Sequence, residues 1–314
     1  MISSSTTGPA APAVTMSARG DCWIGRFTLM TSPCEIHLYT ADITEATDLC
    51  QLAYAEGLRI ERHFSRYIKG NMLDKINTSS GSPVALDNEY TELLNYAFSL
   101  HDMSDGLFDI TTGVLKKLWP FESGAAGVDQ LPSIEAIADV LQWVGLEKIL
   151  WQSPSITPSI TLPADMQLDF GGIGKEYAVD RAGQVIEQNF TGNYLVNFGG
   201  DCYCKGSAAI PWCIGIESVE IYAAKAAEKN SVTLSHGAVA TSGTTKRYIE
   251  LQGKRYGHIL NPKTGRPVVN APLSITVVND SCLSAGALAT IAMLQGSGAE
   301  EFLQAQDVLY WCLR

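Results

Sequence analysis

His258 stands in the run YGHILNPKTGRP, residues 256–267, ahead of a Pro-Lys-Thr-Gly turn and near Arg255, Lys263 and Arg266. The turn needs Pro262 and Gly265, because proline presets φ and glycine accepts left-handed backbone. It needs neither a histidine nor three cations. An imidazole that titrates near neutrality, set among fixed positive charges, suits an anionic ligand and a proton to be moved. A lone histidine serves structure more often than catalysis, so His258 gains weight only from the segments around it.

Three glycine turns accompany it. LDFGGIGKEYAVDRAG, residues 168–183, reads as a strand passing through a glycine-rich loop into a helix. Such a loop lets backbone N–H groups approach an anion at a helix N-terminus. It is not a Walker A loop: Asp169 occupies the place of the first glycine, and Glu176 follows Lys175 where Ser or Thr is required. Nor is it GxGxxG. A phosphate cradle and a tight turn with a surface lysine both fit the local chemistry. NFGGDCYCKG, residues 197–206, taken alone reads as a hairpin turn with Asp201 exposed, and Ser242-Gly243 makes the third turn. In GLFDITTGVLKKLWPF, Asp109 is either the cap of the next turn or a carboxylate held at a pocket edge. In HFSRY, Tyr67 is either a core aromatic or a flat stacking surface.

The elements that must position these residues follow from periodicity. CWIGRFTLM and CEIHLYT alternate as a hairpin turning at Thr31-Ser32-Pro33. Ala46, Leu49, Ala53, Ile60 and Phe64 repeat at helical spacing and predict a helix over 43–66. A second helix begins at an Asp87 or Asn88 cap and ends before Gly106; a third runs from a Ser133 cap to near Gly145. IPWCIGI, VTLSHGAVATS, KRYIEL, KRYGHIL and LSITVVN are strand-like, with a tight turn at Gln252-Gly253. SAGALATIAMLQ is a short helix capped by Ser284 and ended by Gly296. Helices and antiparallel hairpins without regular βαβ alternation predict an α+β fold.

The chain has 314 residues, enough for a sizeable core, and a net charge of −11 that excludes a generic nucleic-acid surface. The eight cysteines form no CxxC pair; Cys202-Tyr203-Cys204 lacks a second pair at zinc-finger spacing, so reduced, mostly buried thiols are expected. Residues 1–20 are rich in Ser, Thr, Pro and Ala and read as a disordered tail without signal-peptide features, followed by one domain over 21–314. There is no apolar run long enough for a membrane span, and the default expectation is a soluble cytoplasmic protein.

Taken in order, FSRY with Asn77 beyond it, GLFDITTG…LWPF, LDFGGIGKEYAVDRA, NFGGD, ATSGTTKRY…GKRYGHILNPKTGRPV and ALAT at 287–290 resemble the ApbE-type flavin transferases, the FAD:protein FMN transferases. The likeness runs from about Phe27 to Gln295. It implies a single α+β domain of the tunnelling-fold type, with antiparallel sheets and packed helices. It also implies FAD as substrate, Mg²⁺ as cofactor, and transfer of FMN to a Thr or Ser hydroxyl of an acceptor protein with release of AMP. By the same resemblance Met30, Tyr67, Leu107, Phe108 and Asp109 touch the flavin nucleotide. Gly171, Lys175 and Tyr177 line the loop beside the pyrophosphate, and His258 with Ile259 closes it. Lys175 and His258 are the catalytic pair, and the Gly174 carbonyl and Thr290 hydroxyl hold Mg²⁺.

The chain departs from the family pattern at four places. GALAT replaces DALAT, so Gly286 stands where the family has a metal-binding Asp; GGIGKE replaces GGIAKG; HILNP, with Asn261, replaces HIIDP; and MTS replaces MGT. Two other readings therefore accompany transfer: FAD binding without transfer, and hydrolysis of FAD to FMN and AMP. An ordinary FAD oxidoreductase is disfavoured because no dinucleotide-binding Rossmann fingerprint occurs.

Overall fold

Period-two burial builds the first layer. In Ser32–Tyr39 (β3) Cys34, Ile36 and Leu38 point into the main core, and in Cys22–Leu29 (β2) Phe27 and Leu29 do, while Cys22 and Ile24 are buried on the opposite face. Outside them Thr15–Arg19 (β1) pairs with β2. The computed structural model describes residues 13–119, 121, 130–152, 157–216, 231–245 and 247–314. The tail expected through residue 20 therefore gives way to a strand by Thr15; residues 1–12 lie outside the described ones. Arg26 and Trp23, paired with Thr15 and Ala18, extend the sheet edge far enough to order that segment.

The sheet continues through Tyr194–Phe198 (β4), Asp201–Lys205 (β5), His236–Gly243 (β6), Ser274–Asn279 (β7) and Tyr310–Leu313 (β8), eight strands whose spatial order is their chain order. Every neighbouring pair is antiparallel, including Cys34↔Phe198, Val239↔Cys202 and Val277↔Ala240. Helices α1 (Ile43–Phe64), α2 (Met72–Asn77), α3 (Asn88–Met103), α4 (Ile134–Leu141) and α5 (Gly174–Asn189) lie between β3 and β4; α6 (Cys282–Leu294) and α7 (Ala299–Ala305) lie between β7 and β8. The main core takes Ile36, Leu38, Val196, Phe198, Ala240 and Val277 from the strands, and Ala53, Ile60, Ala178, Ala182 and Ala289 from α1, α5 and α6. A smaller cluster on Leu195, Cys202, Cys204 and Val239 is covered by Ile214 and Val232. The α+β architecture is thus observed.

Several local expectations need correction. The first hairpin turns at Met30-Thr31, both at positive φ (49° and 59°), rather than at 31–33. This is the two-residue geometry whose twist matches paired strands. Ser281, not Ser284, caps α6 by accepting from the Ser284 N–H. α4 stops at Leu141, earlier than Gly145, and α1 stops at Phe64. No strand leads directly into the glycine loop: the strand before it ends at Thr161. The Asn77 amide takes up both backbone groups of Leu168, accepting from its N–H at 2.7 Å and donating to its carbonyl at 3.0 Å, so no ladder is needed. Asp87 caps α3, and Gln252-Gly253 turns between Tyr248–Leu251 and Lys254–Gly257, as the sequence predicts. All eight cysteines are free thiols, and six of them are buried.

Candidate functional site

The glycine loop is anchored from below by Asp169. Its carboxylate accepts from the Gly171 N–H at 2.8 Å and from Arg66 at 3.0 Å, and pairs with Lys116. Burial works against its charge, but Lys116 and Arg66 more than offset this and hold the carboxyl below its usual range. Arg66 also donates to the Gly113 carbonyl at 3.0 Å, and the Asp169 N–H to the Ile110 carbonyl at 2.8 Å. The 106–121 segment and the loop are thereby locked side by side. A Cβ on Gly172 would meet the Phe108 ring at 3.4 Å, so Phe108 forms the floor of the loop.

Lys175, in the first turn of α5, reaches across to the β4–β5 hairpin. Its ammonium lies 2.7 Å from Asp201 Oδ2, and the Asp201 side chain is 2% exposed. Burial lowers the lysine's affinity for its proton, yet the Asp201 and Glu176 carboxylates outweigh burial and its pKa rises. The hairpin turns through Gly199 and Gly200 at φ 66° and 105°, a conformation that suits glycine. The Gly199 N–H donates to the Pro33 carbonyl, bringing the Met30-Thr31 turn alongside. Asp201 Oδ1 accepts from the Thr241 N–H at 3.0 Å, and beside it Thr290 Oγ1 lies 3.3 Å from Ser242 Oγ. Asp201, read from the sequence as an exposed turn residue, is thus buried between two strands and a lysine.

The α5–α6 contact carries a second carboxylate. Asp180 accepts from the Cys282 and Leu283 N–H groups at 2.7 and 2.9 Å, clamping the start of α6 to α5. One turn back on α5 is Glu176; one turn on along α6 is Gly286. Glu176 is buried, its Oε2 has no hydrogen-bond partner, and burial first, then the Asp201 charge, pushes its carboxyl well above the ordinary range.

His258 follows the Lys254–Gly257 strand. Its Nδ1 sits 3.2 Å from the Arg247 carbonyl and its ring edges against Phe121. A carbonyl only accepts, so Nδ1 carries the proton and Nε2 presents its lone pair. Burial, then the Arg247 and Lys116 charges, lower its pKa to about 4, so the ring is neutral at pH 7. The Trp119 indole donates to the Gly265 carbonyl at 2.9 Å, pinning the Pro-Lys-Thr-Gly turn to the 106–121 segment.

The expected residues assemble unevenly. Gly171 is held by Asp169, Phe108 lies under Gly172, Lys175 bonds Asp201 on the hairpin that the Met30 turn adjoins, Gly174 donates its N–H to the Phe170 carbonyl, and Thr290 bonds Ser242. Leu107 and Ile259 pack on the main core. Asp109 is a cap: Oδ1 accepts from the Thr111 N–H and hydroxyl, Oδ2 from the Leu146 N–H. Tyr177 gives its hydroxyl to Glu89 at 2.8 Å, and its ring packs edge-on against Phe64 on the main core. Tyr67 is 72% exposed beneath the Arg66 guanidinium, as a stacking surface would be. Of the three cations near His258 in sequence, Arg255 turns away onto Tyr248, 4.3 Å from the ring centroid. The cations that do approach the loop are Arg66 and Lys116, and sequence reasoning missed them with Asp169, Asp180 and Asp201. The Lys116-Lys117 doublet and the acidic end of NFGGD were the available signals. A cavity of about 430 Å³ along α1, lined by Tyr54, Leu58, Arg59 and His63, shares no residue with the loops.

Residues 30–311 match the model of the ApbE family. The chain is 30% identical over 240 residues to a Vibrio cholerae protein named FAD:protein FMN transferase, covering 76% of this chain and 70% of that one. It resembles the crystal structure of the ApbE protein of Thermotoga maritima with a TM-score of 0.80 and 27% identity, covering 93% of this chain and 94% of that one. The flavin transferase ApbE from Vibrio cholerae superposes with a TM-score of 0.75 at 25% identity, covering 93% of each chain.

Proposed function

The chain belongs to the ApbE family, and from that premise we propose that it is an FAD:protein FMN transferase. It moves FMN from FAD to a Thr or Ser hydroxyl of an acceptor protein. The hydroxyl oxygen forms a bond to the FMN phosphorus, the phosphoanhydride P–O bond breaks, AMP leaves, and the hydroxyl proton passes to His258. The observation that carries this reading is the state of His258: neutral, protonated on Nδ1 towards Arg247, with Nε2 free to accept. An imidazolium could not serve as base, and the opposite tautomer would turn its lone pair to the wrong side.

The remaining residues hold the phosphates. Lys175, Arg66 and Lys116 supply fixed positive charge beside the loop N–H groups, where positioning and charge neutralisation provide most of the rate of phosphoryl transfer. Each is already paired to a buried carboxylate, so none must be ordered when FAD arrives. Tyr67 offers an exposed aromatic face to the nucleotide, and the buried Phe108 ring backs the loop at Gly172. Among the described residues no group of three or more His, Cys, Asp or Glu side chains is placed to hold a metal. A hard cation instead fits an all-oxygen set: the Gly174 carbonyl, the Thr290 hydroxyl, substrate phosphates and the unpartnered Glu176 Oε2. When bound, Mg²⁺ supplies charge neutralisation at the pyrophosphate.

The test mixes the protein with FAD, Mg²⁺ and a candidate acceptor domain, and follows AMP release and in-gel flavin fluorescence. Covalent flavin on the acceptor supports transfer. AMP and free FMN alone support hydrolysis, and bound but intact FAD supports a binding protein.

A further inference from the structure

We propose that Glu176, reaching across the α5–α6 contact, supplies the carboxylate that holds a divalent cation at the FAD pyrophosphate. The inference rests on the transferase reading above and deepens it by making Glu176 the carboxylate ligand in place of the Asp that the family has at position 286.

Space makes the first argument. A Cβ built on Gly286 would stand 2.5 Å from Glu176 Cγ and 3.1 Å from its Oε1. The Glu176 side chain therefore fills the volume that any side chain at 286 would occupy. The two departures from the family pattern, glycine at 286 and glutamate at 176, meet at this one contact. The Asp180 clamp fixes its register, one helical turn away on each helix.

Satisfaction makes the second. Glu176 is 9% exposed, and its Oε2 is buried without a hydrogen-bond partner. A buried carboxyl oxygen without a hydrogen-bond partner costs free energy, so such a group calls for a compensating ligand. The neighbouring cation does not provide it, since the Lys175 ammonium sits on Asp201 at 2.7 Å. Gly174 opens the helix that carries Glu176, and Thr290 is one turn beyond Gly286 on the same face of α6. All three donors are oxygens, the preference of Mg²⁺ and Mn²⁺.

The test uses Mn²⁺ as the probe, bound to the full chain saturated with FAD and read by electron paramagnetic resonance. Three proteins are compared: the parent, Glu176→Gln, and Glu176→Gly combined with Gly286→Asp. Metal-free FAD affinity is measured for each by calorimetry. Glu176→Gln keeps shape and removes charge, and it should weaken Mn²⁺ binding about tenfold or more while metal-free FAD binding stays equal or tightens. The paired exchange should restore Mn²⁺ affinity to within a few-fold of the parent. Unchanged Mn²⁺ affinity in Glu176→Gln, with FAD still bound, overturns the inference alone. Failure of the parent to bind FAD overturns the transferase reading and the inference with it.

Discussion

The Lys175 ammonium lies 2.7 Å from an Asp201 carboxylate that is 2% exposed. This pair joins the glycine loop to the β4–β5 hairpin, so Lys175 holds the fold as well as the ligand. Lys175→Ala should weaken FAD binding and also destabilise the protein by about 3–5 kcal/mol, because it strands a buried charge. Adding Asp201→Asn should recover most of the stability and none of the FAD affinity. Urea unfolding and calorimetry on the two variants separate these effects. Stability unaffected by Lys175→Ala would mean that the pair contributes nothing to the fold.

His258→Ala should lower the transfer rate by about 10²–10⁴ and leave the FAD dissociation constant nearly unchanged, since a base acts in the transition state. The ring's pKa falls from 6.5 to about 4 on folding. Between those values the unfolded chain binds the extra proton, so stability should decline as pH drops from about 6.5 towards 4 and should not depend on this group above 6.5. His258→Phe should flatten that acid limb. NMR of the imidazole should show no titration between about pH 5 and 8; a midpoint near 6.5 would remove the neutral base.

Glu176 and Gly286 should also be coupled in folding. Gly286→Ala normally gains helix propensity, but here the new methyl meets Glu176 Cγ at 2.5 Å. A net loss of about 1–3 kcal/mol is expected. Glu176→Ala should relieve it, and a thermal-melt double-mutant cycle reads the coupling. Additive effects would show that the side chain moves aside freely.

Trp119→Phe removes the indole bond to the Gly265 carbonyl while keeping most of the packing. The cost should be about 1 kcal/mol in stability. Because that bond pins the turn behind His258, the transfer rate should fall more than FAD affinity does. A variant with unaltered kcat would show that the turn is held by other contacts.

Elements with strong local signals were legible in the sequence. The α1 stripe Ala46–Phe64, the Asp87 cap and the Gln252-Gly253 turn each follow from short-range chemistry. What escaped depends on partners far along the chain. Asn77 replaces a strand partner for Leu168 across 91 residues. Asp201 is buried because Lys175 and the Thr241 backbone reach it, and neither is near in sequence. The cation cluster was assigned to Arg255, Lys263 and Arg266 by proximity, but the β-hairpin pleat sends Arg255 onto Tyr248, while Arg66 and Lys116 converge on Asp169 from remote segments. Gly286 read in sequence as the place of a missing metal-binding Asp; only the packed helices reveal that Glu176 fills the volume beside it.

The measurement that bears most directly on the account is the fate of FAD with Mg²⁺ and an acceptor domain bearing a Thr or Ser site. Intact-mass analysis of the acceptor and chromatography of the nucleotides are run together. Transfer gives an acceptor heavier by one FMN, fluorescent in the gel, with one AMP released per modification, and His258→Ala forms both products about 10²–10⁴ more slowly. AMP and free FMN with an unmodified acceptor, or an undiminished rate from His258→Ala, would contradict it.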